Sequence, residues 1–203
     1  IKEKGEKIIN LAAGEPDFDT PYFIKEKTKK ALDNGFTRYT PSSGIKELKE
    51  AICKKYKEEH NLKYSPSQVI ISCGAKHAIF NAILTLVDKK DEVIIPSPFW
   101  VSYPEMVKIA QGRVVIVKTK EENNFKITPQ DLEKAITKKT KLLILNTPSN
   151  PSGSVYKKEE LKEILKLYLQ AIRKRKKAQE LALIHESKPT PIFEKSITDY
   201  IRY

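Results

Sequence analysis

From residue 67 onward, short apolar runs alternate with longer stretches in which apolar residues recur every three or four positions. The first pattern belongs to strands and the second to amphipathic helices. "VIIS" at 69–72 reads as a strand and "AKHAIFNAILTLV" at 75–87 as a helix. "EVIIPSP" at 92–98 is a strand that leaves through prolines, and a helix over 103–112 stops at glycine. "RVVIVK" at 113–118 is another strand. "TPQDLEKAI" at 128–136 places Thr128 at a helix N-cap, Pro129 at the first helical position and acids in the first turn. "KLLIL" at 141–145 is a strand whose unbroken apolar run predicts burial on both faces, and "KKEELKEILKLYL" at 157–169 is a helix.

Regular strand–helix alternation predicts an α/β fold with a mainly parallel sheet flanked by helices. Ligands in such sheets sit beyond the carboxyl ends of the strands. That rule singles out residues 73–77, 97–102 and 146–153. Residues 1–66 differ. "INLAAGEPDFDTP" at 9–21 is too broken for a core strand, and "YTPSSGIKELKEAICKKY" at 39–56 is a Gly/Ser/Pro turn feeding an amphipathic helix. This part reads as an arm or a second lobe.

Composition narrows the field. The 203 residues are 39% hydrophobic and 32% charged, which fits a globular chain with a basic surface. No run approaches the ~18 consecutive apolar residues of a membrane span, and no signal peptide is visible at the N-terminus. Cys53 and Cys73 form no CxxC pair, so a reducing, cytoplasmic setting is expected. His60, His77 and His185 lack metal-ligand spacing, and no zinc site is expected. The net charge of +12 raises nucleic acid as a partner, but the only dense cluster is residues 173–177, which reads as a solvated helix face.

Three strand ends carry candidate chemistry. Gly74, Ala75 and Lys76 open a helix, where backbone N–H groups and the helix dipole suit an anion such as phosphate; an ordinary tight turn is the plainer alternative. GxxxxGK[ST] and GxGxxG are both absent, which counts against ATP and dinucleotide sites. Trp100 follows a strand and can stack on a flat aromatic ligand, or can simply cover the core edge. Asn150 sits in "NTPSNPSG", where flanking prolines stiffen the backbone. Its amide can donate and accept, suiting a phenolic oxygen or a carboxylate, unless it only caps its own turn. Together the three suit a flat, phosphorylated aromatic cofactor.

"INLAAGEPDFDTP", "RYTPSSGIKELKEAI", "ISCGAKHAIFNAI", "PSPFWVSYPEMV" and "NTPSNPSGSVY" occur in this order. Over roughly residues 5–164 the chain resembles class I pyridoxal-phosphate-dependent aminotransferases of the bacterial aspartate aminotransferase branch. The resemblance implies pyridoxal 5'-phosphate as cofactor, amino acids (acidic, aspartate-like) and 2-oxo acids as substrates, and a homodimer. It implies an N-terminal arm and small-lobe segment at 1–44, a partial cofactor-binding large domain at 45–164 and a divergent basic tail at 165–203. Gly74, Ala75 and Lys76 would form the phosphate-side loop, with Lys76 alternatively meeting the distal carboxylate of an acidic substrate. Trp100 would stack on the pyridine ring. Asn150 would bond the cofactor's phenolic oxygen near the substrate carboxylate. Gly14 would lie against the substrate, and Tyr39 would reach the phosphate in the neighbouring subunit.

The family also needs a lysine that forms a Schiff base with the cofactor, an Asp at the pyridine nitrogen and an Arg for the α-carboxylate. The expected Ser-Lys followed by Gly-x-Arg is absent. Ser187-Lys188 precedes Pro189 and reads as a loop. "IFEKSITDYIRY" at 192–203 is similar to the segment after the pyridine-pairing Asp, which would place Thr190 at the Asp and Phe193 at a cofactor-contacting Tyr. The tail thus reads as that of a truncated, decayed or spliced copy, inactive alone, with an incomplete sheet. A non-catalytic remnant that binds the cofactor weakly or serves as a partner subunit, and a basic nucleic-acid-binding protein, are the competing expectations.

Overall fold

The computed structural model describes residue 14 and residues 16–182. The chain divides into two compact units, Ile1–Ile45 and Lys46–Tyr203. In the first unit, helix α1 (Tyr22–Asp33) starts behind Pro21, whose carbonyl accepts from the N–H groups of Ile24 and Lys25. Apolar patterning does not predict this helix. None of its residues is buried, so its apolar side chains mark no core face.

The second unit holds α2 (Lys46–His60), α3 (Gly74–Leu86), β1 (Glu92–Ser97), α4 (Ser102–Ile109), β2 (Arg113–Lys118), α5 (Pro129–Ala135), β3 (Thr140–Leu143) and α6 (Lys158–Ala182). The strands form a sheet in the order β2-β1-β3, with both pairings parallel. Parallel neighbours need a crossover, and α4 and α5 supply it. The expected α/β fold with a parallel sheet and flanking helices is therefore present, as a three-stranded sheet among the described residues.

Side-chain alternation along β1 explains its solid apolar run. Val93 and Ile95 pack with Ile83, Tyr103, Met106 and Val107 on one face. Ile94 packs with Ile127, Leu132, Tyr156 and Ile164 on the other. β3 divides in the same way, with Leu142 and Ile144 against the first cluster and Leu143 and Leu145 against the second. Its leucines are half-buried rather than fully buried, because β3 has one strand neighbour among the described residues where β1 has two.

The amino ends of the strands are tied by a polar network. Glu92, only 3% exposed, accepts from the Arg113 guanidinium at 3.0 Å and from the Thr137 hydroxyl at 2.5 Å. The hydroxyl of buried Thr140 accepts the Thr137 N–H at 2.8 Å. At α5, Thr128 is the N-cap and its hydroxyl accepts the Asp131 N–H, as the sequence predicts.

Two elements depart from expectation. Residues 69–72 are not a strand: Val69 is extended (φ −115°, ψ 128°), but the segment has no ladder partner among the described residues and Ile70 is 72% exposed. Extended conformation follows from local sequence, whereas a strand requires a neighbour's backbone. Helix α6 runs to Ala182 rather than ending at 169, so it carries the basic stretch, of which Arg173 and Lys174 are exposed. Lys188, Thr190 and Phe193 lie outside the described residues. Among the described residues no helix is long and apolar enough to cross a membrane.

Candidate active site at the carboxyl ends of the strands

Helix α3 begins at Gly74, whose φ of +84° lies in the left-handed region that favours glycine. Among the described residues nothing lies within 4 Å of where a Cβ would stand, so the glycine serves the turn rather than a tight contact. Cys73 precedes the helix without a side-chain cap; its own N–H donates to His77 Nδ1 at 3.2 Å, and the Gly74 N–H donates to the Ser72 carbonyl. Ala75 and Lys76 are exposed in an uncapped first turn. Free N–H groups and the positive end of the helix dipole make such a turn suitable for an anion.

The Lys76 ammonium lies over the Trp100 ring, 5.0 Å from its centroid. Trp100 follows β1, is half-buried and packs against the first core cluster. Tyr103 on α4 meets it edge-on, with centroids 5.5 Å apart and planes at 85°. Burial pushes the Tyr103 pKa above its ordinary value.

The loop after β3 is braced from within. Asn146 Oδ1 accepts the Asn150 N–H at 2.8 Å, the Gly153 N–H donates to the Ser149 carbonyl, and the Ser149 N–H donates to the Ser154 carbonyl. The Tyr156 N–H donates to the Thr147 hydroxyl at 3.1 Å. The Tyr156 hydroxyl accepts the Ile127 N–H at 2.8 Å, and burial raises its pKa. The side chain that caps this turn is therefore Asn146. The Asn150 carboxamide is exposed and has no hydrogen-bond partner among the described residues.

Pro98, Phe99 and Tyr103 face Ile144, Asn146 and Asn150 across a cleft between the ends of β1 and β3. Its free space, about 20 Å³, holds about one water. A chain of contacts thus runs from Lys76 through Trp100 and Tyr103 to the cleft that Asn150 lines. Gly14 and Tyr39 belong to the first unit, where both are exposed. Sequence reasoning missed Tyr103 and Asn146. Their signals are spacing, since Tyr103 stands one helical turn beyond Trp100 and Asn146 stands at the strand exit four residues before Asn150.

Residues 6–172 match the family model for aminotransferase class I and II. A curated aspartate aminotransferase from Bacillus subtilis is 50% identical over 161 residues, which are 79% of this chain and 41% of that protein. An aspartate/prephenate aminotransferase from Nitrosomonas europaea is 51% identical over 164 residues, 81% of this chain and 41% of that protein. The structure of Thermus thermophilus aspartate aminotransferase with maleate superposes with a TM-score of 0.80 at 45% identity, over 84% of this chain and 44% of that one. The chain belongs to the class I and II aminotransferase family. It spans about two fifths of the length of these curated relatives.

Proposed function

We propose that this chain carries the cofactor-anchoring half of a pyridoxal-phosphate aminotransferase that moves an amino group between an aspartate-like amino acid and a 2-oxo acid. The observation that carries the proposal is the convergence of Lys76, Trp100 and Asn150 at one end of one sheet. Bound pyridoxal phosphate would supply an electron sink for the carbanion formed at the amino acid's α-carbon.

The donor set fits that cofactor. The uncapped first turn of α3, with the N–H groups of Ala75 and Lys76, suits a phosphate. The Trp100 ring suits a flat pyridine, and the unpartnered Asn150 carboxamide can donate to a phenolic oxygen. Lys76 can serve either anion. Its ammonium reaches out over Trp100 while its backbone N–H stays at the helix start, which favours a distal substrate carboxylate for the side chain. The names of the relatives, which include aspartate aminotransferases and one solved with maleate, support an acidic substrate. Gly14 and Tyr39 keep the substrate-side and neighbouring-subunit roles, with a homodimer as the assembly. Free Cys53 and Cys73 support a reducing, cytoplasmic compartment.

Alone, the chain binds cofactor and orients substrate without turnover, because the matched region lacks the Schiff-base lysine expected of the family. Titration of the purified chain with pyridoxal phosphate, followed by absorption spectroscopy, tests both parts. Saturable binding that Asn150→Ala weakens, with no lysine fixed by borohydride, is the expected result. Absence of saturable binding overturns the cofactor reading; a single lysine fixed in stoichiometric yield, with turnover, overturns the claim of inactivity.

A further inference from the structure

We infer that Tyr103 is a positioning residue for Trp100, holding the indole plane in the orientation a stacked ligand requires. The inference rests on the cofactor reading for its consequence in binding, but not for the geometry itself. Trp100 is half-buried and follows the last residue of β1 by three positions, so its own backbone does not fix its ring. Three observations place that task on Tyr103. Its N–H donates to the Trp100 carbonyl at 3.1 Å, which ties the two residues across one turn. Its ring and the indole form a T-shaped pair at 5.5 Å and 85°, the arrangement in which the positive edge of one ring meets the negative face of the other. Tyr103 is itself 7% exposed and packs with Ile83, Met106 and Val107, so the ring that orients Trp100 is held by the core.

The same ring lines the cleft that Asn150 lines. Tyr103 therefore stands between the stacking residue and the amide-bearing loop, and one rigid side chain references both to the same core. Lys76 lies over the indole, yet it is an exposed, long and flexible side chain and cannot set a plane. The phenol hydroxyl is not required for the task, because the T-shaped contact is between the two rings.

Trp100 is the only tryptophan in the chain, so its fluorescence anisotropy and long-wavelength near-ultraviolet circular dichroism report this ring alone. The variants are Tyr103→Leu, Tyr103→Phe and, as a control in the same helix and cluster, Val107→Ala. Tyr103→Leu is expected to flatten the Trp100 dichroic band, lower its anisotropy and weaken pyridoxal phosphate binding roughly two- to tenfold, the range of one aromatic pair. Tyr103→Phe restores all three, and Val107→Ala lowers the unfolding midpoint while leaving the Trp100 signals unchanged. If the leucine variant does not fold, Tyr103→Met refills the volume with a flexible chain and is read in the same way. Trp100 signals in Tyr103→Leu or Tyr103→Met that match those of Val107→Ala overturn the inference. Altered Trp100 signals in a protein whose wild type binds no pyridoxal phosphate support the positioning role and overturn the cofactor reading.

Discussion

The two ends of the same three strands are built on opposite plans. At the amino ends, Glu92, Arg113, Thr137 and Thr140 partner one another, and the carboxylate is buried at 3% exposure. At the carboxyl ends, among the described residues, the Asn150 carboxamide has no partner, the α3 turn has no side-chain cap and the Lys76 ammonium rests on a ring face. A satisfied network rigidifies, while polar groups left open at the end of a rigid sheet are available to a ligand. The contrast separates what holds the fold from what it offers.

Substitutions at the two ends should therefore have separable effects. The core between them sets the scale: Ile94→Ala, at a fully buried position of β1, should cost about 2–5 kcal/mol by denaturant unfolding and impair both ends together. Asn150→Ala should weaken pyridoxal phosphate binding by about 1.5–3 kcal/mol, as for a hydrogen bond to a charged group. Its unfolding free energy should stay within about 0.5 kcal/mol of wild type, because the side chain is exposed. A large loss of stability in this variant would break the contrast.

Glu92→Ala should behave in the opposite sense, losing roughly 1–3 kcal/mol of stability while cofactor affinity of the folded protein is retained. The smallest effect belongs to the ion pair between α6 and the strand-to-helix loop. The hydrogen bond from Lys126, at 2.6 Å, holds the Glu160 pKa below its ordinary value. A lowered folded-state pKa means stability that is present above the unfolded value of 4.5 and lost as pH falls through the lowered one. Lys126→Ala should shrink that acid-limb loss in a pH series of unfolding midpoints and leave the neutral-to-alkaline limb parallel to wild type.

How legible each end was follows from how local its causes are. β1, β2, α3, α4 and α5 could be read from periodicity because each buries a face that its own residues mark. α1 could not, since none of its residues is buried and no apolar face stands out. The extended run at 69–72 was over-read, because its sequence specifies conformation and not a partner. Lys76, Trp100 and Asn150 were singled out because each follows an apolar run that reads as a strand, although the run before Lys76 has no ladder partner among the described residues. Tyr103 and Asn146 were not, since an edge-on ring and a cap from four residues upstream are properties of the folded turn. The amino-end network was invisible for a plainer reason: Glu92 meets partners 21 and 45 residues away.

The loop braced by Asn146 bears on the entropy of recognition. Ordering a mobile side chain or loop on binding costs about 0.5–1.5 kcal/mol for each rotamer-rich group immobilised. Here the backbone around Asn150 is already fixed by Asn146, Ser149, Thr147 and their partners before any ligand arrives. A ligand reaching this loop meets a template and has only the final carboxamide to order.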